Sequence, residues 1–139
     1  KAFHVHDGQG LRLLEDAGIA VALITARESS IVKKRGEDLR LAHIYTGVSN
    51  KLAVLQTLCQ TLNMTLSQVA YMGDDLPDLA CLQSVGLAAC PNDAMTIIKQ
   101  NVHWQSQYSG GCGAAREFCD FIINSQNRQQ ALIARFSAL

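Results

Sequence analysis

Val69-Ala70-Tyr71-Met72-Gly73-Asp74-Asp75-Leu76-Pro77-Asp78 sets an apolar run directly before a glycine and then packs three carboxylates into five positions. An aromatic and β-branched run that stops at glycine predicts a buried strand over 69–72, with the acids in the turn beyond its carboxyl end. Open α/β sheets bind their ligands at that edge. Carboxylates this close repel, and a cation holds them ionised together; Mg²⁺ favours oxygen ligands and accepts phosphate oxygens beside them. The stretch therefore points to a metal-dependent phosphate site. A plainer reading has Asp75 capping a helix opened by Leu76-Pro77-Asp78, with Pro77 in its first turn and Asp78 complementing the positive end of the dipole.

Outward from this stretch, helical and strand patterns alternate. Asp7 to Asp16 read as a helix ended by Gly18, and Ile19 to Thr25 as a strongly apolar strand. Glu28 to Leu39 form a charged helix, His43-Ile44-Tyr45 a short strand, and Lys51 to Leu62 a helix with Leu52, Leu55, Leu58 and Leu62 on one face. A helix over Asp75 to Val85, a strand over Gly86 to Cys90, a helix over Ala94 to Gln100, a strand near Val102 to Trp104 and a helix over Ala114 to Asn124 complete the pattern. That rhythm predicts an α/β fold: a Rossmann-like open parallel sheet with crossover helices on both faces. Residues 1–125 make one core, and 126–139 a tail whose Ala131, Leu132, Ile133, Phe136 and Leu139 are too apolar for a solvated end.

Composition excludes several classes. Lys plus Arg equals Asp plus Glu at 12 each, so nothing draws the chain to nucleic acid or an anionic membrane. No apolar run approaches the length of a membrane span, and a soluble cytoplasmic protein is expected. The five cysteines have no C-x-x-C and no zinc-site spacing, so they read as reduced thiols, with Cys59, Cys81 and Cys119 in apolar helical patterns as core residues. His4 and His6 would share a strand face, but two ligands are too few for a metal site.

Two further motifs lie just past strands. In Leu23-Ile24-Thr25-Ala26-Arg27 the threonine hydroxyl can donate to a phosphate oxygen, the turn amides add donors, and Arg27 can grip a second anionic group. The alternative makes Thr25 the cap of the helix beginning near Glu28. In Ser49-Asn50-Lys51 a lysine opens a helix, where its charge opposes the dipole, so an anionic group is expected beside it unless it is simply a solvated surface lysine. Thr25, Lys51 and the Asp74-Asp75 pair follow successive strands and would converge on one crevice. A receiver domain uses the same ingredients with its acidic pair first.

The order found here resembles motifs two, three and four of the haloacid dehalogenase superfamily of phosphohydrolases. Lys1 to Gly8, Leu23 to Arg27, Ser49 to Leu52, Val69 to Asp78 and Gly110-Gly111-Cys112-Gly113-Ala114-Ala115-Arg116-Glu117 resemble, more closely, its small-cap branch, the 3-deoxy-D-manno-octulosonate 8-phosphate phosphatases. The resemblance runs to about Ser125. It implies a haloacid dehalogenase-like fold without a large cap domain, and cytoplasmic, Mg²⁺-dependent hydrolysis of a sugar phosphate in lipopolysaccharide synthesis. It also implies a homotetramer whose neighbouring subunits close the active site, with the tail reaching a neighbour. Thr25, Ala26, Arg27 and Lys51 would bind phosphate and substrate, and Asp74 would bind Mg²⁺. Asp75 would support the metal and the catalytic lysine, and Asp78 would orient the loop.

Two departures accompany it. The family's first motif, an apolar strand ending in Asp-x-Asp, supplies the nucleophile and the acid/base. No Asp-x-Asp occurs in these 139 residues. The chain begins at a lysine where the family already has a strand and hairpin behind it, so that part is expected to lie upstream and these residues alone to hydrolyse nothing. Cys112 stands where the Gly-Gly-x-Gly loop of the family usually carries arginine, which removes a fixed cation from that loop. Gly111-Cys112-Gly113 matches only the beginning of a dinucleotide fingerprint. Other readings are a phosphatase of another sugar or keto-acid phosphate, or a non-catalytic oligomerisation module like that of some sialic acid cytidylyltransferases.

Overall fold

A computed structural model describes residues 5–126. Its elements alternate as α1 (Val5–Asp16), β1 (Ala22–Ile24), α2 (Ser30–Asp38), β2 (His43–Tyr45), α3 (Lys51–Thr61), β3 (Ala70–Met72), α4 (Leu79–Ser84), β4 (Leu87–Cys90), α5 (Thr96–Lys99), β5 (Trp104–Gln105) and α6 (Ala114–Ser125). Single 3₁₀ turns occupy Leu66–Gln68 and Leu76–Asp78. The apolar run before Thr25 is longer than its strand for a local reason. The Ile19 amide bonds back to the Leu14 carbonyl and the Val21 amide to Glu15, so only Ala22–Ile24 is left to pair. The acidic stretch likewise opens in a 3₁₀ turn, because Asp75 and Pro77 start it and the Asp78 amide bonds to the Asp75 carbonyl. The helix expected over Ala94 to Gln100 shrinks to Thr96–Lys99, and the last strand shifts to Trp104–Gln105. His6 lies in α1, not on a strand. His4 and the tail beyond Gln126 lie outside the described residues.

All pairing is parallel: Leu23 opposite Ile44, Tyr71 opposite Ala88, and Ala89 opposite Trp104. The strands form two parallel ladders, β1-β2 and β3-β4-β5, in keeping with the expected α/β fold. Among the described residues, β1 and β3 each have a partner along one edge only. Successive residues of β1 enter different cores. Leu23 packs with the cluster of Leu14, Cys119 and Ile123 from α1 and α6, whereas Ile24 packs with that of Leu55, Cys81, Leu82 and Ile98. Side chains of a strand alternate between its faces, so helices cover both. Cys59, Cys81, Cys90 and Cys119 are buried free thiols, and burial pushes Cys119 up to about 12, which keeps it an inert core residue. Cys112 is exposed.

Candidate active site

Thr25, Lys51 and the Asp74–Asp78 turn each sit past the carboxyl end of a strand. Beyond β1, Thr25 does not cap α2; Ser29 does, accepting the Val32 amide at 3.2 Å. The Thr25 Oγ1 accepts the Arg27 amide at 3.2 Å, while its own hydroxyl hydrogen and the Ala26 amide have no acceptor among the described residues. The exposed Arg27 side chain pairs with no acid there.

The turn after β2 is fastened to this one. Val48 donates its amide to the Thr25 carbonyl at 3.0 Å, Gly47 to the Arg27 carbonyl at 3.0 Å, and Thr46 its hydroxyl to Glu28 at 2.8 Å. Gly47 has φ +65, a left-handed conformation that glycine adopts without strain, and a Cβ there would displace the end of the Glu28 side chain. Asn50 then caps α3 by accepting the Ala53 amide at 3.0 Å, which places Lys51 at the first helical position.

Lys51 finds the anion that its position demands, and that anion is Asp78. Its Nζ donates to Asp78 Oδ1 at 2.8 Å, with the side chains only 11% and 7% exposed. Tyr71 donates its hydroxyl to the same oxygen at 2.6 Å, and the Asp74 and Asp75 amides donate to Oδ2 at 3.1 and 3.4 Å. Burial pushes the Asp78 carboxyl upward, but hydrogen bonds from Lys51 and Tyr71, the lysine charge and the Asp74 amide together bring it below its ordinary 3.8. Burial, then the charge and hydrogen bond of Asp78, push Tyr71 far above its ordinary 10.0.

The expected partnership of Asp75 with Lys51 is therefore corrected. Asp75 is exposed and accepts the Leu76 amide at 2.7 Å, the capping role that its position before Pro77 allowed. Tyr71 escaped sequence reading because a tyrosine in a buried strand reads as core filling, and nothing in the spacing shows its hydroxyl reaching seven residues ahead. Gly73 is the close-packed joint of the turn: a Cβ there would overlap Asp78 and come within 2.8 Å of its Oδ2. Gly73→Ala is expected to cost about 1–3 kcal/mol by forcing this overlap. Chemical denaturation checks it, and an unchanged midpoint would show that the turn has room.

Asp74 is placed differently from both neighbours. Its carbonyl accepts the Met95 amide at 3.2 Å, but its half-buried carboxylate has no partner among the described residues. The loop after β5 borders it: a Cβ on Gly110 would lie 3.9 Å from Asp74 Oδ2, so the missing side chain leaves a cradle beside the acid. No set of three His, Cys, Asp or Glu side chains is gathered among the described residues. One unpaired carboxylate with open space suits Mg²⁺, which keeps several waters and takes one or two protein carboxylates.

A parallel sheet presenting these groups at its carboxyl edge is the architecture of a haloacid dehalogenase-like hydrolase, and residues 40–117 match that family. Over 128 residues the chain is 40% identical to the 3-deoxy-D-manno-octulosonate 8-phosphate phosphatase of Yersinia pestis, covering 92% of this chain and 68% of that protein. Among solved structures it superimposes on a hypothetical protein from Xanthomonas campestris with TM-score 0.95 and 52% identity, over 99% of this chain and 75% of that one. It also matches the 3-deoxy-D-manno-octulosonate 8-phosphate phosphatase of Moraxella catarrhalis, solved with magnesium ion, phosphate ion and a KDO molecule. There the TM-score is 0.93 and the identity 39%, over 98% of this chain and 78% of that one. The chain belongs to the 3-deoxy-D-manno-octulosonate 8-phosphate phosphatase family of phosphoric monoester hydrolases.

Proposed function

We propose that this chain forms the phosphate- and metal-binding part of a Mg²⁺-dependent phosphatase that releases phosphate from 3-deoxy-D-manno-octulosonate 8-phosphate. The observation that carries the reading is the Asp74 carboxylate, without a partner among the described residues, on a residue whose amide bonds to Asp78 of the buried Lys51–Asp78 pair. The attacking carboxylate is absent from these residues, since they contain no Asp-x-Asp. A strand ending in that motif would find unpaired ladder edges on both β1 and β3, and parallel pairing there would set its carboxyl end between Thr25 and Asp74. The complete enzyme is expected to include such a strand.

Each residue then has a task. Thr25 donates its hydroxyl, and Ala26 its amide, to oxygens of the transferring phosphoryl group. Lys51 sets a positive charge beside the same oxygens, held in place by Asp78. Arg27 takes the substrate carboxylate in its fork of donors. Asp74 would hold Mg²⁺, with Asp75 keeping the turn in shape; the bound ion would offset negative charge on the phosphoryl oxygens. The phosphoryl group passes to the first Asp of the Asp-x-Asp motif while the second protonates the departing sugar hydroxyl, and that second carboxylate then takes a proton from the water that cleaves the acyl phosphate.

We place the reaction in the cytoplasm and in lipopolysaccharide synthesis, and the assembly as a homotetramer with active sites near subunit contacts. The family membership supports these placements. Among the described residues no helix is long and apolar enough to cross a membrane. These residues alone are expected to release no phosphate above background with Mg²⁺, and adding the Asp-x-Asp strand is expected to restore turnover. A panel of sugar phosphates assayed on the complete enzyme tests the substrate. Turnover by the 139 residues alone, or preference for a nine-carbon keto-acid phosphate, would overturn the respective claim.

A further inference from the structure

The Ser109–Gly113 loop that borders Asp74 is fastened at both ends by side chains distant in sequence. At its start, Ser109 donates its hydroxyl to Asn92 at 2.9 Å and Gly110 its amide to Asp93 at 2.9 Å. Within it, the Cys112 amide closes a turn on the Ser109 carbonyl at 3.0 Å. Its far end becomes α6, whose first residues have no cap of their own: Gly113 has φ +108 and no side chain to accept an amide. Asp7 of α1 fills that role from more than a hundred residues away. Asp7 is 5% exposed, and its carboxylate accepts the Gly113 amide at 3.3 Å on one oxygen and the Arg116 amide at 3.0 Å on the other.

A buried carboxylate is costly unless it is fully bonded, and two amides at the positive end of a helix supply that compensation. The same carboxylate could have been an apolar residue if α1 had only to pack on α6, as Leu14 does. What an apolar residue could not do is fix where the loop ends. With Asp93 holding Gly110 and Asp7 holding Gly113, the backbone between them has little freedom, and it is this backbone that stands beside Asp74 Oδ2.

We propose that Asp7 is a positioning residue for the Asp74 site, acting through the amides of Gly113 and Arg116 to keep the glycine loop against the acid. This rests on the reading of Asp74 as the magnesium ligand. Asn at position 7 keeps an acceptor for one amide and presents an N–H to the other; Ala loses both bonds. The complete enzyme and its Asp7→Asn, Asp7→Ala and Leu14→Ala variants are titrated with Mg²⁺ alone by calorimetry and assayed for kcat and KM. Amide hydrogen exchange is followed at Gly113 and Arg116, and fluorescence of Trp104, which stacks on Phe118 and Phe121 of α6 at 5.3 and 5.4 Å, reports whether the helix stays seated.

Asp7→Asn is expected to leave Trp104 fluorescence unchanged, speed exchange at the two amides, and weaken Mg²⁺ binding and lower kcat/KM by about tenfold; Asp7→Ala should do more. Leu14→Ala removes core packing between the same helices and should lower the melting temperature while Mg²⁺ affinity holds. If the Asp7 variants bind Mg²⁺ as the unaltered enzyme does, or lose only what Leu14→Ala loses, the positioning role is wrong. An unaltered enzyme that binds no Mg²⁺ would instead remove the reading of Asp74, and this inference with it.

Discussion

Replacing Asp78 with alanine is expected to lower the unfolding free energy by about 3–5 kcal/mol, because the buried Lys51 ammonium loses its counter-charge and the Tyr71 hydroxyl its acceptor. For a domain whose total stability is about 5–15 kcal/mol, that is a large share. Exposure decides the magnitude: a surface pair would contribute about 0–1 kcal/mol, and this one is nearly dry. Replacing both members, as Lys51→Met with Asp78→Leu, should recover much of the stability and none of the activity, since apolar groups of similar volume need no counter-charge. Urea denaturation of the single and double variants measures both. A single-variant loss below about 1 kcal/mol would mean that water reaches the pair.

The same pair sets a pH dependence with a definite sign. The Asp78 carboxyl is held below its ordinary 3.8 in the folded protein, so its contribution is present above that value and is lost as pH falls through the folded value. Tyr71 is shifted upward, so the unfolded chain releases its phenolic proton first and stability declines as pH rises past 10.0. Tyr71→Phe should remove the alkaline decline and leave the acid limb in place. An alkaline limb unchanged in Tyr71→Phe would assign it to another group.

Asp74→Asn in the complete enzyme is expected to lower Mg²⁺-supported turnover by roughly a thousandfold or more, with little change in stability. The two halves of that expectation have one cause. The Asp74 side chain has no hydrogen-bond partner to lose among the described residues, so removing its charge breaks nothing in the fold while taking away the anionic oxygen offered to a cation. Asp78→Asn should lower turnover less, by roughly ten- to a hundredfold, because Lys51 and the Asp74 turn shift without losing a ligand. Metal dependence of kcat and denaturation midpoints, read on the same samples, separate the two. Equal losses of turnover would show that the acids do not divide the work in this way.

The alternation of helix and strand was legible because periodicity is local. Ile19 to Thr25 announced a strongly apolar strand, and Leu55 and Leu58 a helix with one apolar face, without knowledge of any neighbour. Element ends were less legible, because Glu15 bonding to the Val21 amide or Ser29 capping α2 depends on which nearby group arrives first. For the site, Thr25, Lys51 and the acidic turn could be placed at strand tips, but their pairings could not. Which of three acids meets Lys51 depends on Gly73 letting Asp78 fold back under the turn and on Tyr71 pointing at the same oxygen. Asp7 lay further out of reach, since a carboxylate in an opening helix turn reads as a surface group until α6 is packed against it.

By itself the sequence determined the α/β class and the placing of Thr25, Lys51 and the acidic turn at strand tips, because these follow from patterns within a dozen residues. Only the tertiary structure decided that Asp78 rather than Asp75 neutralises Lys51 and that the Asp74 carboxylate has no partner among the described residues. Those outcomes depend on hydrogen bonds and buried contacts between segments remote along the chain. Desolvation makes such contacts strong, and no local pattern records them.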